Sequence, residues 1–230
     1  MPATNSDYPL IRDLWRGALL NTIAHAIWIT SDPILAHEVV WDGKTYLRQD
    51  TMGASGAIHF ADHHTVTGAF FSTRSTSYKP ESAYSIAPFL NGIPDDLRTL
   101  ANNKVLSYLL QEHGGLAQPI ITAAFWSANT QLTAAMPWEE VWNNGGYILN
   151  IELRPVHSVF DTLQTDLELT SAQLNLLQSL VHKRGNELTE TITLDHSEYE
   201  TLVAQGSAGI AEARELLSAI NIQIPHSAAD

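Results

Sequence analysis

The dipeptide Asp42-Gly43 stands between two short runs, AHEVVW and KTYLRQ, that break the helical period of the residues before them. Alternation with a period of two sends successive side chains to opposite faces of an extended chain. Glycine supplies the positive φ of a two-residue hairpin turn, and aspartate tolerates it. The pattern predicts a strand over 36–41, a turn at Asp42-Gly43 and a strand over 44–49. After the loop Met52-Gly53-Ala54-Ser55-Gly56, the runs AIHFA and TVTGAFF read as two further strands. Ile58 and Phe60 are expected on one face of the first, with Ala57, His59 and Ala61 on the other. Residues 36–71 are thus expected to form a four-stranded antiparallel meander.

Elsewhere the apolar period changes. Ile11, Leu14, Trp15, Leu19, Ile23 and Ile27 recur at spacings of three and four, the stripe of a helix that Ser31-Asp32-Pro33 stops. A helix is predicted over 94–115, opened by Pro94, Asp95 and Asp96 and closed by Gly114-Gly115. Its buried face would be Leu97, Leu100, Val105, Tyr108 and Leu109. QPIITAAFWSAN (118–129) reads as one buried strand, PWEEVW as a short helix, and YILNIEL (147–153) as another strand. The final third is helical: Thr170-x-x-Gln173 caps a helix over 170–186 with Leu174, Leu177 and Val181 as its seam. A short strand, TETITL, precedes a helix capped by Asp195-x-x-Glu198; a last helix and an edge strand in NIQIP follow. The fold class is α+β: a hairpin-rich antiparallel sheet (36–71 with strands near 118–126 and 147–153), packed helices, and a helical C-terminal third. One domain is expected over 1–230, with a subdomain edge near 155.

Composition narrows the function classes. The 230 residues suffice for a substantial core, and the absence of cysteine removes disulfides, thiol catalysis and cysteine-ligated zinc. No apolar run approaches the ~20 residues of a membrane span, and the N-terminus lacks a secretory pattern. The expectation is a cytoplasmic protein with no membrane partner. Net charge is −13, and it is uneven: residues 1–114 carry 11 acidic and 8 basic side chains, residues 115–230 carry 14 and 4. Nucleic acid would be repelled, whereas a basic protein would be steered to the C-terminal half.

Two clusters carry candidate chemistry. His59, Asp62, His63 and His64 offer imidazole and carboxylate donors suited to a first-row metal. Adjacent histidines on an extended chain point to opposite faces, so only one of His63 and His64 joins His59 easily. An Asp-His-His stretch between two strands is more readily a turn stabilised by its own aspartate, with the histidines exposed at its tip. Trp138, Glu139, Glu140 and Trp142 form the second cluster: tryptophans four apart share a helix face, and tryptophan is enriched at protein-binding hot spots. Gly53-Ala54-Ser55-Gly56 departs from the nucleophile elbow in spacing and lies between two strands, so a catalytic serine is not expected there. No dinucleotide, P-loop, EF-hand or zincin pattern occurs, and no cofactor is expected.

In size and charge the chain is similar in a general way to bacterial immunity proteins that neutralise toxins, a likeness that transfers no residue. The reading these features favour is a non-catalytic protein-binding factor, inhibitor-like or immunity-like, with an acidic surface for a basic protein partner. The alternatives are a metal-binding protein or metal-dependent enzyme using His59, Asp62, His63 and His64, and a self-associating structural protein, a homo-oligomer paired through strand edges or tryptophan faces.

Overall fold

The structure is a computed structural model, and it describes residues 9–62, 64–78, 84–113, 115–185 and 190–225. Its class is α+β. The strands of the N-terminal part are β1 (Val39–Asp42), β2 (Thr45–Gln49), β3 (Ala54–Phe60), β4 (Val66–Ser72), β5 (Leu110–His113), β6 (Leu116–Pro119), β7 (Ala123–Ala128) and β8 (Gln131–Thr133). Six of them form one sheet in the order β1-β2-β3-β4-β7-β8, while β5 and β6 make a separate hairpin. The four-stranded meander is therefore present and is extended by two strands that return after a long excursion. Two compact units result, one of Met1–Leu14 and Asp42–Leu153, the other of Trp15–Trp41 and Arg154–Asp230.

In the first unit the sheet is covered on both faces, so β3 and β4 are buried along almost their whole length. Ala57, Ala69 and Ala124 stand in register across β3, β4 and β7. This row of small side chains admits a layer of Phe71, Phe89, Leu97, Val105, Leu109 and Trp126. On the opposite face Gly56 and Gly68 sit beneath the Phe70 and Phe125 rings, whose centroids are 5.6 Å apart. A Cβ at Gly68 would collide with the Phe125 ring, so close ring packing requires glycine there.

Several boundaries differ from the sequence expectation, each for a local reason. The hairpin turn is Gly43-Lys44, with Gly43 at φ 57°, and Ala36–Glu38 belong to a 3-10 turn, Pro33–Glu38, instead of a strand. Asp32 caps that turn by accepting the Ile34 N–H, and Pro33 supplies its first residue. Helix α1 runs Ile11–Ile29, close to its stripe. Helix α2 is shorter than expected, Asp95–Lys104: Val105 leaves helical geometry, a 3-10 turn follows at Leu106–Tyr108, and the chain extends into β5. Gly115, at φ 80°, lies in the bend of the β5–β6 hairpin instead of ending a helix.

The run 118–129 is broken after Pro119, which has no N–H for a ladder, and Ile120–Thr122 bend the chain into β7. Helix α3 is Trp138–Asn143. Residues 147–153 are not a strand but helical turns, with the Leu153 N–H bonded to the Leu149 carbonyl. Their buried members are Ile148, Leu149 and Glu152, and that spacing fits a helical turn, not an alternation.

The second unit contains α4 (Phe160–Asp166), α5 (Ser171–Arg184), β9 (Ile192–Thr193), α6 (His196–Leu202), α7 (Ile210–Ala219) and β10 (Ile222–Gln223). Both expected capping boxes are formed, at Thr170/Gln173 and Asp195/Glu198. The terminal strand pairs with β9 in parallel. The seam of α5 is rotated from the expected one: Gln173, Leu176, Leu177, Leu180 and Arg184 are buried, whereas Leu174 and Val181 are only half-buried. Among the described residues no helix is long and apolar enough to cross a membrane.

Candidate functional site

His59 lies within β3, opposite Thr45 and Thr67, and its Nδ1 shares a 2.9 Å hydrogen bond with the Thr45 hydroxyl. Asp62 is in the turn that follows. Its Oδ1 accepts the N–H groups of His64 and Thr65 at 2.7 and 2.8 Å, and Oδ2 accepts the Thr65 hydroxyl at 3.0 Å. Both carboxylate oxygens are thus engaged in holding the turn. His64 is exposed, and His63 lies outside the described residues. Among the described residues no group of three metal-competent side chains stands together.

The electrostatics of this stretch follow from the same bonds. The His64 N–H, with help from Thr65, holds the Asp62 carboxyl below its ordinary 3.8. His59 is held below its ordinary 6.5, first by burial and then by the nearby charges of Lys104 and Lys44. The fold therefore favours neutral His59. Its contribution to stability is complete above the unfolded value of 6.5 and is lost as pH falls from there towards the lower folded value. Urea denaturation is expected to show stability declining as pH falls below about 6.5, with His59→Gln flattening that part of the profile. An unchanged slope in the variant would assign the decline to other groups.

The tryptophan–glutamate cluster occupies α3. Glu139 and Glu140 are exposed, while Trp138 and Trp142 are half-buried around a fully buried Val141. The Trp138 ring meets Phe125 edge-on at 6.2 Å, so it joins the layer on that face of the sheet. Just past the helix, Asn144 accepts the Ser75 hydroxyl on its side chain and the Thr122 hydroxyl on its backbone carbonyl. These buried bonds tie the end of α3 to the loop after β4 and to the bend before β7. Ser55 sits in β3 opposite Phe71, in regular strand geometry.

Among the features that sequence reasoning missed are two that the fold assembles from residues far apart in the chain. One is a buried ionic cluster in the first unit: the Tyr46 hydroxyl donates to Glu152 Oε1 at 2.6 Å, and Arg48 Nε lies 3.5 Å from the same oxygen. The other is an acidic cleft of about 290 Å³ in the second unit. One wall is His37, Val40 and Trp41; the other is Glu212, Glu215 and Leu216 of α7. Residues three and four apart on a helix share a face, so both carboxylates border the same opening.

Trp41 is fixed in that wall. Its Nε1 donates to the Thr22 hydroxyl at 2.9 Å, which in turn donates to the Ala18 carbonyl at 2.7 Å. Trp15 packs edge-on against it at 6.0 Å. Ile34, in the 3-10 turn that also supplies His37, is 75% exposed. The spacing of Glu212, Glu215 and Leu216 was legible in the sequence, but what stands opposite them was not, because His37 and Trp41 lie far away in the chain. The cleft combines a rigid aromatic wall, an apolar floor and two solvent-facing carboxylates, the chemistry that receives a cationic side chain. No protein-family model, curated protein or solved structure matches this chain.

Proposed function

We propose that the protein is a non-catalytic protein-binding factor, inhibitor-like or immunity-like, that engages a basic protein partner through the cleft between Trp41 and α7. The observation that carries this reading is the pairing of a fixed, half-buried Trp41 with exposed Glu212 and Glu215 on one opening. A lysine or arginine of the partner would lay its apolar stem on Leu216 and Val40 and its charge near the indole face and the carboxylates. The excess of acid over base in residues 115–230 would add long-range attraction and speed encounter.

The test is capture from a native cell lysate, washed at low and then high salt, with the parent protein beside a Glu212→Lys/Glu215→Lys variant. Both positions are exposed, so the variant is expected to fold normally. A basic protein retained at low salt, released at high salt, and held at least about tenfold less well by the variant would support the reading. Equal retention by parent and variant would move the binding surface elsewhere; capture insensitive to salt would remove its electrostatic basis.

A further inference from the structure

The second unit carries 13 aspartates and glutamates against 5 lysines and arginines. Two of those five cations nevertheless converge on one cleft of about 280 Å³, lined by Arg16 and Leu19 of α1, by Val156, and by Val181, His182 and Arg184 of α5. Among the described residues no carboxylate lines it. In so acidic a unit, a cleft with two guanidinium groups and an imidazole is a local inversion of the charge pattern.

The cleft is also built to hold its shape. Arg184 is only 4% exposed, and its Nη1 donates to the carbonyl oxygens of Ile220 and Asn221 at 3.0 and 3.3 Å. Those bonds position the guanidinium before any ligand arrives, so little ordering remains to be done on binding. Burial holds Arg184 below its ordinary basicity, with Glu190 acting in the opposite direction. An arriving anion would offset that cost of burial. Arg16 is half-buried and His182 exposed, which leaves a path from solvent. Leu19 is buried, and with the half-buried Val156 and Val181 it gives the cleft an apolar side. The volume is that of a small-molecule site at the lower end of the usual range.

We propose that this cleft binds a small amphipathic anion, a carboxylate or phosphomonoester on a short apolar body. Arg16, His182 and Arg184 donate to the anionic oxygens, and Leu19, Val156 and Val181 pack against the body. Planar guanidinium groups match both head groups, which accept paired N–H bonds. The site is independent of the acidic cleft and of any protein partner.

Calorimetric titration of the full chain with four probes tests it: hexanoate, hexyl phosphate, hexanol and inorganic phosphate. At least one of the first two is expected to bind one-to-one, about tenfold or more tighter than hexanol and than inorganic phosphate. Which of the two binds better distinguishes a carboxylate ligand from a phosphate one. Arg16→Gln is expected to weaken binding about tenfold, the loss of one charge-assisted contact. His182→Glu, at an exposed position where folding is not at risk, places a carboxylate at the mouth and should abolish binding; it decides the matter if Arg16→Gln does not fold. Absence of binding by both anions at ten millimolar would overturn the proposal. So would equal binding of hexanol, or an unchanged affinity in His182→Glu.

Discussion

Gly209→Ala is expected to destabilise the second unit by about 3 kcal/mol or more. Gly209 immediately precedes α7, and its N–H donates to the Thr30 carbonyl at 3.0 Å. The Thr30 hydroxyl in turn donates to the Ile27 carbonyl at 2.8 Å and the Leu202 carbonyl at 3.1 Å, so the end of α1 is held against the loop that leads into α7. A Cβ on residue 209 would fall on the carbonyl oxygen of Ile29, with Pro33 Cβ at 3.0 Å on the other side. Because the obstacle is backbone, no rotamer relieves it. The φ of Gly209 is −104°, a value open to alanine, so the cost comes from contact and not from backbone strain. At the N-cap glycine is also preferred to alanine, so capping and contact act in the same direction. The unit is mainly helical, and urea denaturation followed by circular dichroism at 222 nm reads it directly. Ser207→Ala, two residues away and exposed, serves as the near-neutral control. A Gly209→Ala midpoint equal to the parent's would mean that α1 and α7 do not approach as closely as described.

What the sequence made legible is what local chemistry decides. Capping boxes at Thr170 and Asp195 depend on residues three apart, and both formed. The meander followed from the turn signal at Asp42-Gly43, whose glycine takes positive φ, and from the face assignment of residues 57–61. Elements failed where tertiary burial overrode local pattern. Tyr147, Leu149 and Ile151 alternate as a strand would, yet the chain buries Ile148, Leu149 and Glu152 and coils. Residues 105–109 carry apolar side chains at helical spacing, but Val105, Leu106 and Leu109 reach the core through a break and a tighter turn.

The sites divide along the same line. The fate of Asp62 was readable because an aspartate two residues before a backbone N–H makes its own turn. The two clefts were not readable, since each joins residues far apart: His37 and Trp41 with Glu212, and Arg16 with Arg184. Sequence spacing carries no signal for such pairs. A charge count did point to the acidic C-terminal half, but it averaged away the basic cleft inside it.

Glu152→Ala is expected to cost about 3–5 kcal/mol, because it breaks a buried ionic cluster from one side. The Glu152 side chain is 0% exposed and that of Arg48 19%, and Tyr46 is also fully buried. Removing the carboxylate takes the acceptor from the Tyr46 hydroxyl and the counter-charge from Arg48 while both stay largely out of water. Tyr46→Phe, which removes one hydrogen bond and leaves the ion pair, is expected to cost nearer 1 kcal/mol. If the three side chains act as a unit, the two changes will not add: once Glu152 is alanine, the tyrosine hydroxyl has already lost its acceptor, and deleting it should cost little or even help. A triple replacement, Tyr46→Phe/Arg48→Met/Glu152→Leu, should recover much of the loss, since apolar groups of similar volume avoid the desolvation that the cluster incurs. Denaturant midpoints of the four variants against the parent measure this. Strict additivity of Glu152→Ala and Tyr46→Phe would show that the 2.6 Å bond between them contributes no coupling.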